Sequence, residues 1–165
     1  MTLSPLLRKV GLTAHVATSV GWLGSVVVFL ALAVGGLTQG DAFGARAAYV
    51  AMERTTSLVI VPAAIASFVT GLVQAWGTPW GIVRHYWVVA KLLLSVVSTA
   101  LLLLHTGPIA SVAQAALDPQ WTGAELRDVR IQLSVQAALA ILALLAATVL
   151  SVFKPRGVVF TPSSA

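Results

Sequence analysis

Cysteine is absent from the 165-residue sequence, which removes disulfides, thiolate metal sites, c-type haem attachment and cysteine nucleophiles together. Methionine is nearly absent too. Met1 and Met52 are the two present, too few for a thioether relay that passes copper. Charged residues make up 9% of the chain, against about a quarter in ordinary soluble domains. The carboxylates (Asp41, Glu53, Asp118, Glu125 and Asp128) all lie outside the apolar runs. An intramembrane proton relay or a cation-binding carboxylate therefore has nothing to be built from. No nucleophile–base pair, phosphate loop or zinc-ligand spacing is visible.

What is present is apolar surface. Hydrophobic residues are 58% of the chain and the mean hydropathy is +0.94, more than a soluble fold of this size could hide. The formal charge of +5 and a pI near 10.5 do not indicate nucleic acid. The basic residues stand singly or in pairs between apolar runs, with no basic tract and no aromatic–basic interleaving. The reading is a small membrane protein whose partner is the lipid bilayer and whose cytoplasmic face is positive.

A helical span needs about 20 mainly apolar residues. Segments 10–37, 57–76, 87–105 and 131–153 qualify. The first is longer than a perpendicular crossing requires, so it tilts or protrudes. Arg8 and Lys9 precede it as in a signal peptide, but the apolar region is too long for one, and it reads as a retained span. Gly35-Gly36 followed by Gln39-Gly40-Asp41 ends the first span. Gly77-Thr78-Pro79 and Gly81 end the second, and Gly107-Pro108 ends the third. Segment 109–130 reads as a short interfacial helix broken at Asp118-Pro119. Thr122 with Glu125 reads as a capping box that starts the fourth helix outside the bilayer near Gly123. No repeat or linker divides the chain. The expected fold is all-α: one domain, residues 1–165, a polytopic four-transmembrane-helix bundle.

Four spans put both termini on one side. With the N-terminus inside, the inner basic set is Arg8, Lys9, Arg84, Lys91, Lys154 and Arg156, and the outer set is Arg46, Arg54, Arg127 and Arg130. The larger inner set gives an N-in/C-in orientation, and all the acids fall outside.

Each span has one small or polar face. On the first, His15, Ser19 and Trp22 align, while Ala17, Gly21 and Ser25 recur every fourth residue and allow close helix approach. Ser67, Gly71 and Gln74 form a stripe on the second, where Pro62 is expected to kink the helix. Trp87, Lys91, Ser95, Ser98, Leu102 and His105 share a face of the third. On the fourth, Ser134, Ala137, Ala138 and Ile141 continue towards Thr148 and Ser151. Most of these small residues read as packing residues.

Three residues stand apart. His15, about a turn inside the inner boundary, is either a satisfied interfacial residue or an iron or copper ligand. Lys91, four residues past Trp87, either snorkels to the interface or belongs to a site. Trp22 lies about 10 Å deeper than His15 and lines a cavity or a helix contact. His105 is about 21 Å of rise beyond Lys91, near the opposite face, so it and His15 do not clamp one cofactor. The expected inner cluster is His15, Trp22, Trp87 and Lys91. His85, in the inner loop, is a weaker metal-ligand candidate, and His105 is a weaker one at the other face.

His15-x6-Trp22-Leu23-Gly24 on the first span and Trp87-x3-Lys91-Leu92 on the third resemble a bacterial four-helix membrane group. That group contains the haem-binding membrane protoporphyrinogen oxidases, the copper-resistance D proteins and a related uncharacterised integral-membrane family. Met52-Glu53-Arg54 and Phe153-Lys154-Pro155 add to the likeness. The resemblance implies a b-type haem or related porphyrin, with His15 as an axial ligand and Lys91 holding the porphyrin or its propionates. The oxidase pattern continues with an arginine and a histidine at the end of the first span. Here that stretch is Phe29-Leu30-Ala31-Leu32-Ala33-Val34-Gly35-Gly36, which has neither, and the plain Trp-Leu-Gly pattern fits the uncharacterised relatives best.

Three functions follow as expectations. The first is a haem- or porphyrin-binding bundle of the bacterial cytoplasmic membrane, serving electron transfer, haem handling or porphyrin oxidation. The second is a small accessory subunit packed in a homo-oligomer or larger membrane complex. The third is a copper permease or copper-resistance accessory, with His15, His85 and His105 as staging ligands.

Overall fold

Ser4 opens the first helix: its Oγ accepts a hydrogen bond from the Leu7 amide at 3.4 Å, and Pro5 takes the first helical position. In the computed structural model, which describes residues 4–77, 85–121, 126–155 and 157, this helix, α1, spans Pro5–Thr38. Gly35 and Gly36 lie inside it, and the chain reverses at Gln39-Gly40-Asp41. Gly36 does not break the helix; it admits a ring. A Cβ there would stand 2.5 Å from Cζ of Tyr49.

Asp41 caps the next helix through Oδ1, which accepts from the Gly44 amide at 2.6 Å. Helix α2 (Ala42–Thr55) runs through a π-helical turn (Thr56–Ile60) into α3 (Val61–Trp76). This second span therefore begins well before residue 57. Ala45, Tyr49, Met52, Thr56, Ile60 and Ala64 are buried at spacings of three and four, one continuous inward face. The π turn sits where Pro62 lacks an amide proton, and the Val61 amide bonds back to Thr56 O instead of to Ser57 O. The expected kink at Pro62 takes the form of this widened turn.

Helix α4 (Tyr86–Ala116) corrects the expectation for the third span. It passes through Gly107-Pro108 without ending, so residues 109–116 are its last turns and not a separate interfacial helix. Pro108 forfeits one backbone hydrogen bond, but Ile109, Val112, Ala113 and Ala116 beyond it are all buried. That burial holds the helix on course. The break does come at Asp118-Pro119, where Asp118 Oδ1 accepts from the Gln120 amide at 2.8 Å. Helix α5 (Arg127–Phe153) enters and leaves through left-handed residues, Leu126 (φ 55°) and Lys154 (φ 43°). The capping box Thr122–Glu125, the start near Gly123, the breakers Thr78, Pro79 and Gly81, and the basic residues Arg84 and Arg156 lie outside the described residues.

The four helices long and apolar enough to cross a membrane are 5–38, 42–76, 86–116 and 127–153. The chain is an all-α four-helix bundle and an integral membrane protein. Side chains such as Val20, Leu93, Leu104, Leu139 and Leu142 stand exposed on the bundle, as lipid-facing residues do. Helix α1 packs on α2, α3 and α5, and α4 packs on α5 and on α2. The buried cluster runs from Trp22, Val26 and Phe29 to Tyr49, Met52, Val112 and Trp121. It fills the half of the bundle around the α1–α2 and α4–α5 turns, here the turn end. The half carrying Ser4 and Lys154, the terminal end, holds an opening with polar side chains in its lining.

Candidate ligand cleft at the terminal end

The opening is a cleft of about 360 Å³, and Arg8, His15, Trp87, Lys91 and Lys154 are among its lining residues. It contains four cationic or imidazole side chains and no carboxylate among those residues.

His15 is fixed by the α1–α3 seam. Its Nδ1 lies 3.0 Å from Ser67 O and 3.2 Å from Thr70 Oγ1. A carbonyl oxygen accepts only, so Nδ1 carries the proton and donates, which leaves the lone pair on Nε2. That lone pair meets Lys91 Nζ, which donates to it at 3.3 Å. Lys91 is thus turned inward to His15. Gly71 allows the ring to lie so close: a Cβ there would stand 3.0 Å from His15 Cε1. The seam continues with Ser19 Oγ at 2.7 Å from Ser67 Oγ and Thr18 Oγ1 at 3.4 Å from Thr70 Oγ1. At its outer end Gln74 Nε2 donates to Arg8 O at 3.1 Å. The polar faces read on the first two spans therefore meet each other.

The expected cluster divides in two. His15, Trp87 and Lys91 line the terminal-end cleft, but Trp22 does not. It is 3% exposed in the core and lines a second, apolar cleft of about 270 Å³ together with Phe29, His105 and Gln136. The seven residues from His15 to Trp22 are two turns, enough to carry the indole past the cleft floor. His105 donates from Nδ1 to Leu101 O at 2.6 Å and belongs to this second cleft, so the two histidines are separated as the depth argument expects. His85 precedes α4, with Nδ1 3.3 Å from Gly157 O and its ring stacked on Trp87 at 6.4 Å. It is not among the lining residues of the first cleft. Among the described residues no group of three or more His, Asp or Glu converges as a metal site.

Sequence reasoning missed Arg8 and Lys154. The first had a signal, since Arg8, Leu12 and His15 fall at spacings of four and three on one face. Lys154 is placed by the left-handed end of α5, which periodicity does not reveal.

At the turn end a second cation is handled differently. Arg130 is 6% exposed, and its guanidinium carbon lies 5.2 Å from the Tyr49 ring centroid and 5.1 Å from that of Trp121. The two rings meet edge to face at 5.8 Å. A buried cation without an anion costs several kcal/mol, and facing aromatic rings return about 2 kcal/mol when desolvated. The rings therefore offset part of that cost and leave a remainder. Counting Arg130 as an outer-loop charge hid this cage.

Compared with family models, curated proteins and solved structures, the chain matches none.

Proposed function

We propose that the protein is a membrane-embedded binding bundle whose terminal-end cleft takes a b-type haem or related porphyrin, for electron transfer, haem handling or porphyrin oxidation. In this reading the terminal end faces the cytoplasm of a bacterial cell. The observation that carries it is the His15–Lys91 pair: an imidazole whose Nε2 lone pair lies in a cleft lined, among the described residues, with cations and no carboxylate.

The donor chemistry fits such a ligand. The Ser67 carbonyl holds the Nδ1 proton of His15, which fixes the tautomer and orients Nε2, as partners of ligating histidines do. Lys91 occupies that lone pair and releases it when an anionic group draws the ammonium away. Arg8 and Lys91 supply the cations that carboxylate side arms require. The cleft offers one imidazole and no second, so the ligation would be by a single histidine. A bound haem would supply one-electron chemistry. The protein supplies the ligand atom, the carboxylate contacts and a low-dielectric setting. The cleft volume falls in the range of small-molecule sites, about 300–1,000 Å³.

The test is a reduced-minus-oxidised visible spectrum of protein purified in detergent after expression with adequate haem, paired with metal analysis. A sharp b-type band near one per chain, lost in His15→Ala, is expected. A colourless, metal-free sample with haem supply verified overturns the reading in favour of the accessory subunit. Bound copper without pigment would transfer the cleft to the copper reading.

A further inference from the structure

At the turn end several buried polar atoms lack partners, and those of Tyr49 and Trp121 lie on the two rings that face the Arg130 guanidinium. Arg130 Nε and Nη1, Trp121 Nε1, Tyr49 Oη and Arg46 Nε are all buried without a hydrogen bond. Four of these five atoms are obligate donors and the fifth can donate. Buried donors are ordinarily paired, and a buried guanidinium is ordinarily paired with an anion. Among the described residues no carboxylate is paired with Arg130. Among the described residues the one ion pair joins Arg54 to Glu53, Asp118 Oδ1 is engaged by the Gln120 amide, and Asp128 is exposed. Arg46 is held over the α4–α5 turn, where Nη1 donates to Pro119 O at 3.4 Å. Leu126 gives α5 no side-chain cap, and a helix N-terminus favours negative charge.

We infer that this cluster is an oxyanion site that takes a phosphate group, with Arg130 as its central cation and Arg46, Trp121 Nε1 and Tyr49 Oη as further donors. An array of donors around a guanidinium matches an acceptor-only group with several oxygens. The site sits at the end of the bundle opposite the terminal-end cleft and stands independently of any reading of that cleft. The phosphate comes either from a phospholipid headgroup or from free inorganic phosphate.

The experiment uses the full chain, delipidated in a neutral detergent. It is titrated separately with sodium phosphate at constant ionic strength and with dihexanoyl phosphatidylglycerol, and the midpoint of thermal unfolding is read. A ligand of the folded state raises that midpoint saturably. Saturation with phosphate shows that the group alone suffices, and saturation with the lipid alone places the site on a headgroup. Either outcome supports the site. The rise should persist in Lys91→Met, which separates it from the cationic cleft, and should vanish in Arg130→Gln. Trp121→Phe keeps a ring but removes one donor, and should weaken binding by about tenfold, a readout that survives if Arg130→Gln fails to fold. No saturable rise with either probe overturns the proposal, as does undiminished affinity in Trp121→Phe.

Discussion

Both ends of the bundle draw a cation inward from helix ends, and they treat it in opposite ways. At the terminal end Lys91 reaches an imidazole lone pair at 3.3 Å in an open cleft. At the turn end Arg130 is closed between two aromatic rings, with Gly36 of α1 fitted beneath one of them. The lysine is half-buried on a flexible stem, and its hydrogen-bond partner is the fixed imidazole of His15. The arginine is held by three elements and cannot move without opening the core. A buried cation is therefore not by itself a mark of ligand exchange. The terminal end sets its cation beside an imidazole lone pair, and the turn end sets its cation among unmet donors.

If the turn end is the rigid half, its substitutions should give the largest losses of stability. Trp121→Ala removes one wall of the cage and a ring that is 4% exposed. It should cost about 3–5 kcal/mol, measured by unfolding in mixed micelles. Gly36→Ala comes next, because its Cβ would enter the Tyr49 ring. The expected loss is about 1–3 kcal/mol. Gly21→Ala, with nothing within 4 Å of the new atom, is the control and should be neutral or slightly stabilising by helix propensity. Equal losses for the two glycines would break the contrast between a packed turn end and an unconstrained helix face.

How much of this was legible follows from what each signal measures. Hydropathy measures lipid contact, so it located four spans and the all-α bundle. It undercounted their lengths, because Arg46, Glu53 and Arg54 interrupt the apolar run of α2 while Ala45, Tyr49 and Met52 keep a buried face. Gly107-Pro108 reads as a break from propensity, yet four buried residues beyond it outweigh one lost hydrogen bond. Helical spacing paired His15 with Ser19 and gathered Ser67, Gly71 and Gln74, and these two faces meet. Spacing also aligned Trp22 with His15, but a shared face extends through different depths, and the two line separate clefts. The Arg130 cage joins α2, the α4–α5 turn and α5, and no local pattern shows residues so far apart in sequence.

On the terminal side, Lys91→Met tests whether the cleft is built for binding rather than for stability. Removing a half-buried cation while keeping the stem should change stability by less than about 1 kcal/mol in either direction. Porphyrin affinity, measured by absorbance titration, should fall by about tenfold. A stability loss as large as that of Trp121→Ala would make Lys91 a structural pin like Arg130 and erase the distinction between the ends.

The smallest effect probes the seam that holds His15. Ser19 Oγ and Ser67 Oγ are 2.7 Å apart, an interhelical hydrogen bond among apolar side chains, and such bonds in membrane bundles average about 0.6 kcal/mol. Ser19→Ala should cost about that much in the same unfolding assay, well below Gly36→Ala. Its value lies in what should not change. Ser67 O, which fixes the His15 tautomer at 3.0 Å, is a backbone atom held by α3 itself. The visible spectrum of loaded protein should therefore stay the same in Ser19→Ala. A shifted band at so small a loss of stability would mean that the serine pair, and not the helix backbone, orients the imidazole.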